Sequence, residues 1–471
     1  MKMHPNIGGV ATLACILALP GAAIAQSAPT SADEAAALRE EVQALKTRLE
    51  AMEARLEALS GATPQASVPT APPAPPPPAA AAPPARAEDD LKITWKGSPR
   101  FAQDGMTFKA KGRLQFDAGY VGRTQWPDQS LGYVNEARRL RLGGEGSLSR
   151  DFGYKLELEF SDNGVDLVDT FVTWNVAGWL LTLGNQNPFQ SLDELTGDTT
   201  GSFMERAAFT DAFAFERRLG LSGQRRAGDL LVQAGVFSDD INSLSSDGSE
   251  SPPGDENDSI GLDGRVVYAP RIGKTQLHLA ASAHWRDLRR LDSQTTRYRQ
   301  RPYLHATDTR LIGTPALRVD EEFTHGIEAA LVTGPWHAAA EGHWLNADRF
   351  DDPDARFFGG YLEIGRFLTP GDTRAYKNGI FDRSTPVRPW GDGGWGSLQA
   401  SLRYDYLDLD SGAIRGGRQH AGLAALIWTP IDNLRFNLNY GLIHYEGASP
   451  LLDGRRDYDV HVGGARVELD F

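Results

Sequence analysis

The sequence predicts an all-β fold: a 16-stranded antiparallel transmembrane β-barrel, preceded by a short N-terminal coiled-coil helix and a Pro-rich linker. From about residue 91 onward, apolar and polar residues alternate with a period of two, which is typical of strands with two different faces. Sixteen such segments follow one another, and the connections between them alternate between short and long. The last segment ends on Phe471, and its apolar face carries Ala465, Val467 and Leu469.

Residues 1–25 have the features of a signal peptide. Lys2 and His4 precede the apolar run 10–19, and Ala23-Ile24-Ala25 supplies the small residues of a cleavage site. In a second interpretation Cys15 is a lipidated residue, but only a very short apolar stretch precedes it. We therefore expect that the protein is exported.

Residues 33–60 predict a coiled-coil oligomerisation helix. Its apolar a and d positions are Leu38, Val42, Leu45, Leu49, Met52, Leu56 and Leu59. Glu41 with Lys46, and Arg48 with Glu53, match the g-to-e pairing of a parallel oligomer. A single helix of about three and a half heptads is marginal in water, so the pattern favours self-association over a lone amphipathic helix.

Residues 61–90 predict an Ala/Pro-rich linker, which is almost wholly Ala and Pro between residues 63 and 85. Such a segment adopts extended polyproline II at about 3.1 Å per residue, which gives a reach on the order of 70 Å. The linker is therefore a semi-rigid spacer between the coiled coil and the barrel, residues 91–471.

The barrel strands are expected at sixteen places along the chain. They are 106–121, 136–148, 153–161, 166–175, 179–186, 215–223, 228–237, 261–269, 275–286, 322–333, 335–346, 356–368, 395–408, 418–429, 433–446 and 457–471. Connections after even strands are mostly tight, whereas the long segments 187–214, 238–260, 287–321 and 447–456 follow odd strands. One exception, 369–394, is long but follows the twelfth strand. Short turns at one rim and long loops at the other are typical of outer-membrane barrels.

Closure of the sheet and aromatic residues at strand ends agree with this interpretation. Within lipid every backbone amide must be paired, and a closed barrel leaves no unpaired edge. Aromatic residues suited to interfacial girdles are Trp179, Trp285, Trp336, Trp344, Trp428, Tyr404, Tyr406 and Tyr440.

Composition excludes several other classes of protein. The chain has 48 basic and 62 acidic residues, a formal charge of −14 and no extended Lys/Arg run, which argues against nucleic-acid binding. Its single cysteine, Cys15, lies in the leader, so the mature chain has no disulfide, thiolate metal site or cysteine nucleophile. Neither a His-Glu-x-x-His motif nor a Gly-x-Ser-x-Gly elbow occurs. The sequence predicts no enzyme, no metal site and no cofactor.

Several motifs, in their order and spacing, resemble the phosphate-selective porin O and P family of Gram-negative outer membranes. They are Asn135 to Gly146, Asn187-Pro188-Phe189, Phe203 to Arg206, Phe215 to Gly220, Gly360 to Gly371, and Arg403 to Leu409. The resemblance covers nearly all of residues 91–471. It implies a homotrimer in contact with outer-membrane lipid and lipopolysaccharide, with the coiled coil in the periplasm. It also implies that two external loops and one periplasmic turn narrow the lumen, and segments 187–214, 287–321 and 369–394 fall where these would be needed.

Strand parity gives the candidate residues of an anion path. If the apolar partners face lipid, the cations that face inward are Lys109, Lys111, Arg113, Arg139, Arg141, Arg218, Arg265, Arg286, Arg403 and Arg435. The resemblance adds Arg138, because the Arg138-Arg139 pair falls in the motif that matches the arginine ladder of the family. Arginine suits an oxyanion because its planar fork offers paired donors and stays charged.

The same parity leaves other functions open. Carboxylates that share the inward face are Asp117, Glu145, Glu157, Glu159, Asp263, Glu328, Glu341 and Asp405. Ion pairing with them could neutralise much of the ladder. The expected function is passive diffusion of small anions, phosphate or polyphosphate. The alternatives are a general, weakly selective porin and a structural tether whose coiled coil contacts the cell wall or a partner.

Overall fold

A computed structural model describes residues 91–122, 131–161, 164–239, 241, 259–288 and 295–471, together with Gln43, Lys46 and Thr47. The chain divides into two units, Met1–Ala85 and Arg86–Phe471. In the first unit the three described residues are helical, and Thr47 Oγ1 donates to the carbonyl oxygen of Gln43 at 3.1 Å. The expected signal peptide, the rest of the coiled coil 33–60 and the whole of the linker 61–90 lie outside the described residues.

Sixteen antiparallel strands form the barrel wall. They are β1 (Met106–Val121), β2 (Gly132–Ser147), β3 (Phe152–Glu159), β4 (Asp166–Val176), β5 (Trp179–Gln186), β6 (Arg218–Ala227), β7 (Leu230–Phe237), β8 (Ile260–Tyr268), β9 (Thr275–Asp287), β10 (Val319–Thr333), β11 (Trp336–Arg349), β12 (Ala355–Phe367), β13 (Ser397–Ser411), β14 (Ile414–Ile431), β15 (Leu434–Glu446) and β16 (Tyr458–Asp470). Each strand pairs with its neighbours in sequence. The predicted number and order of strands are confirmed.

The barrel closes between its last strand and its first. β16 pairs with β1 from Val462 opposite Val121 to Asp470 opposite Arg113. Phe471 completes this seam, since its amide donates to Gly112 O at 3.0 Å and its carbonyl accepts from Gly112 N at 3.1 Å. Closure therefore removes the exposed edges that an open sheet would present to lipid.

Several strand boundaries differ by a few residues from the sequence-based expectation, and two of these differences have a local cause in the structure. β6 begins at Arg218 rather than at 215, because Phe215 is buried against the ring of Phe209 inside the barrel. β14 begins at Ile414 rather than at 418, because pairing with β13 continues past a bulge to a tight turn at Gly412. Both differences arise where a side chain or a bulge changes the local pairing.

Most turns at one end of the barrel are short, and we call it the short-turn end; the opposite end is the long-loop end. The turn between β4 and β5 consists of Ala177 and Gly178, with φ angles of 50° and 79°. Two central residues with positive φ fit the right-handed twist of a hairpin. At the same end, strands Lys92–Lys96 and Ser98–Gln103 form a hairpin that pairs with the start of β1.

The outer face of the barrel is apolar. Large exposed apolar side chains on it include Phe116, Leu142, Leu156, Leu183, Leu221, Leu262, Leu279, Ile327, Leu362, Leu402, Leu438 and Leu442. A soluble monomer rarely exposes an apolar surface of this extent. The face therefore suits hydrocarbon, as expected from strand parity.

Aromatic rings lie at both ends of this apolar band. Tyr120 and Tyr133 pack at the long-loop end with ring centroids 4.9 Å apart. At the short-turn end, Phe152 stacks on Trp174 at 5.8 Å. Of the predicted girdle residues, Trp336, Trp344, Tyr404 and Tyr440 are exposed on the outer face. None of the helices in the described ranges has the length and apolar character needed to cross a bilayer.

Three connections fold into the barrel. We call residues 187–217 the constriction loop, residues 288–318 the capping loop (described from 295) and residues 368–396 the inner turn. The constriction and capping loops meet in a buried apolar cluster that includes Leu192, Phe203, Met204, Phe209, Phe213, Phe215, Tyr303 and Leu304. The inner turn contacts the opposite wall, where Gly379 O accepts from Arg265 Nη2 at 2.9 Å. These three segments are the long connections 187–214, 287–321 and 369–394 that the resemblance implied.

Candidate functional site: a lumen narrowed by infolded segments

Two short helices of the constriction loop are seated by wall carboxylates. At the start of helix α1 (Leu192–Leu195), the amides of Leu192 and Asp193 donate to the carboxylate oxygens of Glu341 at 3.0 and 2.7 Å. At the start of helix α2 (Ala208–Ala212), the amide of Ala208 donates to a carboxylate oxygen of Asp405 at 3.0 Å. Amides at a helix start lack partners within the helix, and a carboxylate satisfies them. Two of the inward carboxylates therefore hold the loop in place.

Arg403 connects this loop to the wall. Its guanidinium donates to Glu363 at 2.7 Å and to Asp193 at 3.0 Å. The same group lies between the rings of Phe203 and Tyr361, 4.7 and 4.4 Å from their centroids. With two carboxylates and two rings around it, Arg403 anchors the constriction loop.

A β-bulge on β2 turns two consecutive arginines into the lumen. Gln115 pairs with Arg139 while Phe116 pairs with Ala137, so Arg138 is the extra residue. A bulge places neighbouring side chains on the same face, which regular alternation does not allow. Arg138 Nε lies 3.8 Å from Glu205 and Arg139 Nε lies 2.7 Å from Asp198, both on the constriction loop.

Asp198 is shared by two wall arginines. Arg113 Nη1 donates to Asp198 Oδ1 at 2.5 Å, and Arg139 approaches Asp198 Oδ2. Burial alone would raise the pKa of Asp198, but the guanidinium groups of Arg113 and Arg139 outweigh it and hold this pKa well below its ordinary value. Arg141 and Arg206 act in the same direction. The carboxylate therefore stays ionised within a cluster of arginines.

Glu205 forms a second contact of this kind, nearer the long-loop end. It lies 2.9 Å from Arg466 and 3.8 Å from Arg138. Burial opposes ionisation of Glu205, yet Arg138 and Arg466 lower its pKa to about 2. Arg466 also makes a bidentate contact with Asp117, at 2.7 Å to each oxygen.

A family model described as phosphate-selective porin O and P matches residues 108–471. This chain belongs to that family. A relative from Caulobacter vibrioides, described as an uncharacterized protein, is 57% identical over 412 residues, which are 87% of this chain and 83% of the relative. The porin family and the closed β-barrel place the protein in the outer membrane as a channel-forming protein and point away from an enzyme.

Solved structures share the fold at low identity. The loop L8 deletion mutant of OmpT, an outer membrane protein of Vibrio cholerae, is 11% identical, with a TM-score of 0.51. The match covers 78% of this porin and 100% of that chain. In-vitro folded OmpT of the same organism is 10% identical, with a TM-score of 0.50 over 79% of this porin and 99% of that chain. At this identity the likeness shows the barrel fold alone.

At least nine of the eleven cations predicted for the anion path lie within 4 Å of a carboxylate. Besides Arg113, Arg138, Arg139 and Arg403, they are Lys111 (Glu145, 3.0 Å), Arg141 (Glu159, 2.7 Å), Arg265 (Glu328, 2.6 Å), Arg286 (Glu322, 3.9 Å) and Arg435 (Glu468, 3.8 Å). Lys109 is partly buried and Arg218 is buried in the wall. The structure thus brings the predicted residues to the inner face, but most of them carry a counter-charge.

Sequence reasoning missed several charged residues of this porin. Arg466 has inward parity on β16 and could have been found by the rule that found Arg435. Asp198, Glu205 and Arg374 lie on infolded connections, where no periodicity marks the direction of a side chain. Their positions depend on tertiary contacts that the local sequence does not encode.

Histidines of the inner wall pair with carboxylates. His278 Nε2 lies 3.1 Å from Glu328, and His284 Nδ1 lies 2.6 Å from Asp263. Within the described ranges, no group of three or more His, Cys, Asp or Glu residues is arranged to hold a metal ion. These histidines therefore serve as members of the wall's hydrogen-bonding network.

Proposed function

We propose that this porin conducts small anions by passive diffusion, with phosphate or polyphosphate among its substrates. The support lies at Asp198, where two wall arginines share one carboxylate and two further arginines lie close enough to lower its pKa. Arg141 and Arg206 have carboxylates of their own in Glu159 and Glu194, so the local surplus of positive charge is the one left where Arg113 and Arg139 share Asp198. Such a surplus lowers the free energy of an anion in the lumen relative to a cation.

The arginines form a series along the lumen. Arg138 and Arg466 meet at Glu205, Arg113 and Arg139 meet at Asp198, and Arg435 lies nearer the short-turn end. Each guanidinium offers donors to two oxygens of an oxyanion. An anion that exchanges one arginine contact for the next can pass without a deep minimum that would trap it.

We further propose that the porin is a homotrimer in contact with outer-membrane lipid and lipopolysaccharide. The heptad positions of residues 33–60 support self-association, and the linker 61–90 would hold this coiled coil in the periplasm. The exposed apolar band of the barrel offers a surface for lipid and for neighbouring barrels. Chemical cross-linking of the purified protein in detergent should give a trimer band.

A general, weakly selective porin is the second candidate. It is favoured by the ion pairs of the inner wall, because a paired arginine presents little net charge to a passing ion. The two candidates differ in the sign and size of ion preference, and not in the fold.

Planar-bilayer recording tests the proposal. Under a KCl gradient, we expect stepwise conductance and a reversal potential shifted toward the equilibrium potential of chloride. Added phosphate should reduce the conductance. A reversal potential near zero without any effect of phosphate would favour the weakly selective porin. Correctly folded protein that gives no conductance steps would instead indicate a tether.

A further inference from the structure

A cavity lies where the inner turn, the constriction loop and β13 to β16 meet, near the short-turn end. Among its lining residues are Arg374 of the inner turn, Ser397 of β13 and Arg435 of β15, with Thr199 and Thr200 of the constriction loop. Arg374, Ser397 and Arg435 are 5%, 4% and 8% exposed. Neither Asp198 nor Glu205 is among the residues that line this cavity, although Thr199 directly follows Asp198.

Among the described residues, three buried donors that line this cavity have no hydrogen-bond partner. They are Arg374 Nε, Ser397 Oγ and Arg435 Nη1. In the part of the chain that the structure describes, Arg374 makes no ion pair, and its guanidinium lies 4.7 Å from the centroid of the Phe381 ring. A buried donor without a partner costs about 1–3 kcal/mol, and more when it is charged. Three such donors around one cavity indicate that a ligand satisfies them.

The carboxylates of the cavity are largely engaged elsewhere. Asp470 pairs with Arg383. Glu468 accepts from Gln115 Nε2 at 2.5 Å and lies 3.8 Å from Arg435 Nη1. Asp432 is only partly buried, so water screens its charge. Arg374 therefore remains an uncompensated cation inside the cavity.

The environment of Arg374 is unfavourable to its charge. Burial, together with the positive charge of Arg435, lowers the pKa of Arg374 to about 10, although Glu363 acts in the opposite direction. Glu363 is already bound to Arg403 at 2.7 Å. Arg374 thus stays protonated at neutral pH, and a bound anion would relieve both the burial and the repulsion from Arg435.

We propose that this cavity is a second oxyanion site, in which Arg374, Arg435 and Ser397 bind a small oxyanion of the phosphate type close to the short-turn mouth. The inference rests on the proposed function, because it adds a site to the same anion path. One open nitrogen on each of Arg374 and Arg435, together with the hydroxyl of Ser397, matches an oxyanion, which accepts several hydrogen bonds at once. A neutral water molecule would satisfy the donors but would leave the charge of Arg374 uncompensated.

Protection of an introduced cysteine from chemical modification by a bound anion tests the site locally. Ser384 lines the same cavity. Cys15 is the one cysteine of the chain, so Ser384→Cys in a Cys15→Ala background gives a single thiol. We expect inorganic phosphate to slow modification of this thiol by a small methanethiosulfonate reagent. Adding Arg374→Gln should raise the half-protecting phosphate concentration about tenfold, the loss expected for a charged hydrogen bond. Ser397→Ala should raise it by a smaller factor.

The matched control for the loss of a positive charge is Arg388→Gln, which removes an exposed arginine from the same inner turn. It should leave protection unchanged, and retained heat-modifiable migration on gels verifies that each variant folds. If Arg374→Gln fails to fold, Ser397→Ala carries the test. Equal protection in the folded variants and the parent would overturn the second site even if bilayers show anion preference. Cation preference in bilayers together with loss of protection in the variants would support the site and contradict the proposed conduction.

Discussion

The carboxylate of Asp198 occupies the position that an oxyanion would take between Arg113 and Arg139. Its Oδ1 accepts from Arg113 at 2.5 Å, and its Oδ2 forms an ion pair with Arg139 at 2.7 Å. A tethered carboxylate of this kind competes with any free anion for the same donors. It also removes one unit of the positive charge that the two arginines would otherwise present to the lumen.

Replacing Asp198 with asparagine should therefore increase anion preference. Asp198→Asn leaves Arg113 and Arg139 without a carboxylate, so the reversal potential under a KCl gradient should move further toward that of chloride. Asp308→Asn, on an exposed side chain of the capping loop, serves as the control. A shift toward cations in Asp198→Asn would contradict a role for these arginines in ion selection.

Glu194 makes the lumen sensitive to pH. Burial raises the pKa of Glu194 from its ordinary 4.5 to about 7, even though Arg206 and Arg217 lower it. The folded state thus keeps a proton that the unfolded chain releases near its ordinary pKa. Stability should be highest below that range and fall as the pH rises toward 7. Above pH 7 the loop also gains a negative charge.

We expect anion preference to be weaker at pH 8 than at pH 6, and the thermal unfolding midpoint to fall over the same interval. Glu194→Gln should flatten both dependences, because the residue no longer titrates. Asp308→Asn, which removes an exposed carboxylate of the capping loop, is the control. Identical pH profiles in the native protein and Glu194→Gln would show that another group is responsible.

At the scale of elements, helix α2 can pack where it does because the wall strand beside it carries a glycine, which leaves room for the helix. A Cβ atom added at Gly359 of β12 would lie 2.6 Å from the Cβ of Phe209. Gly119 and Gly464 leave similar room for Leu304 and Met204. The infolded loops therefore fit against a wall that carries glycine where they touch it.

Gly359→Leu should displace the constriction loop from the wall. Overpacking of this kind costs about 1–3 kcal/mol, so the variant should lose thermal stability. Because the loop narrows the lumen, single-channel conductance should also change, with larger or noisier steps. Gly422→Leu, where an added Cβ meets nothing within 4 Å, should behave like the native protein. Unaltered conductance and stability in Gly359→Leu would rule out close packing of α2 on this strand.

The strands could be predicted from sequence, whereas the infolded segments could not be traced. Alternation gave the inward direction of Arg139, Arg265 and Arg403, because the period of a strand fixes the side to which each residue points. It could not give Arg138 its inward direction, since that depends on a bulge opposite Gln115. Nor could it place Asp198 or Arg374, because both lie on infolded connections whose contacts with the wall are set by the tertiary fold.

At the scale of the whole molecule, the barrel and the N-terminal segment are expected to have separate tasks. Deleting residues 27–85 should leave the conductance of each barrel intact, because every residue of the proposed anion path lies within residues 108–471. If the coiled coil supports self-association, the deletion should make the trimer easier to dissociate. Cross-linking and bilayer recording on the same preparation check both statements. Loss of conductance in a folded barrel would assign the N-terminal segment a direct part in transport.

The seam between Phe471 and Gly112 has a consequence for biogenesis. β16 is the partner of β1 along residues 113–121, and Phe471 adds a further pair of hydrogen bonds at Gly112. An uncovered edge invites pairing with other chains. An incompletely synthesised chain that lacks β16 would leave this edge of β1 uncovered and should aggregate more readily than the closed barrel.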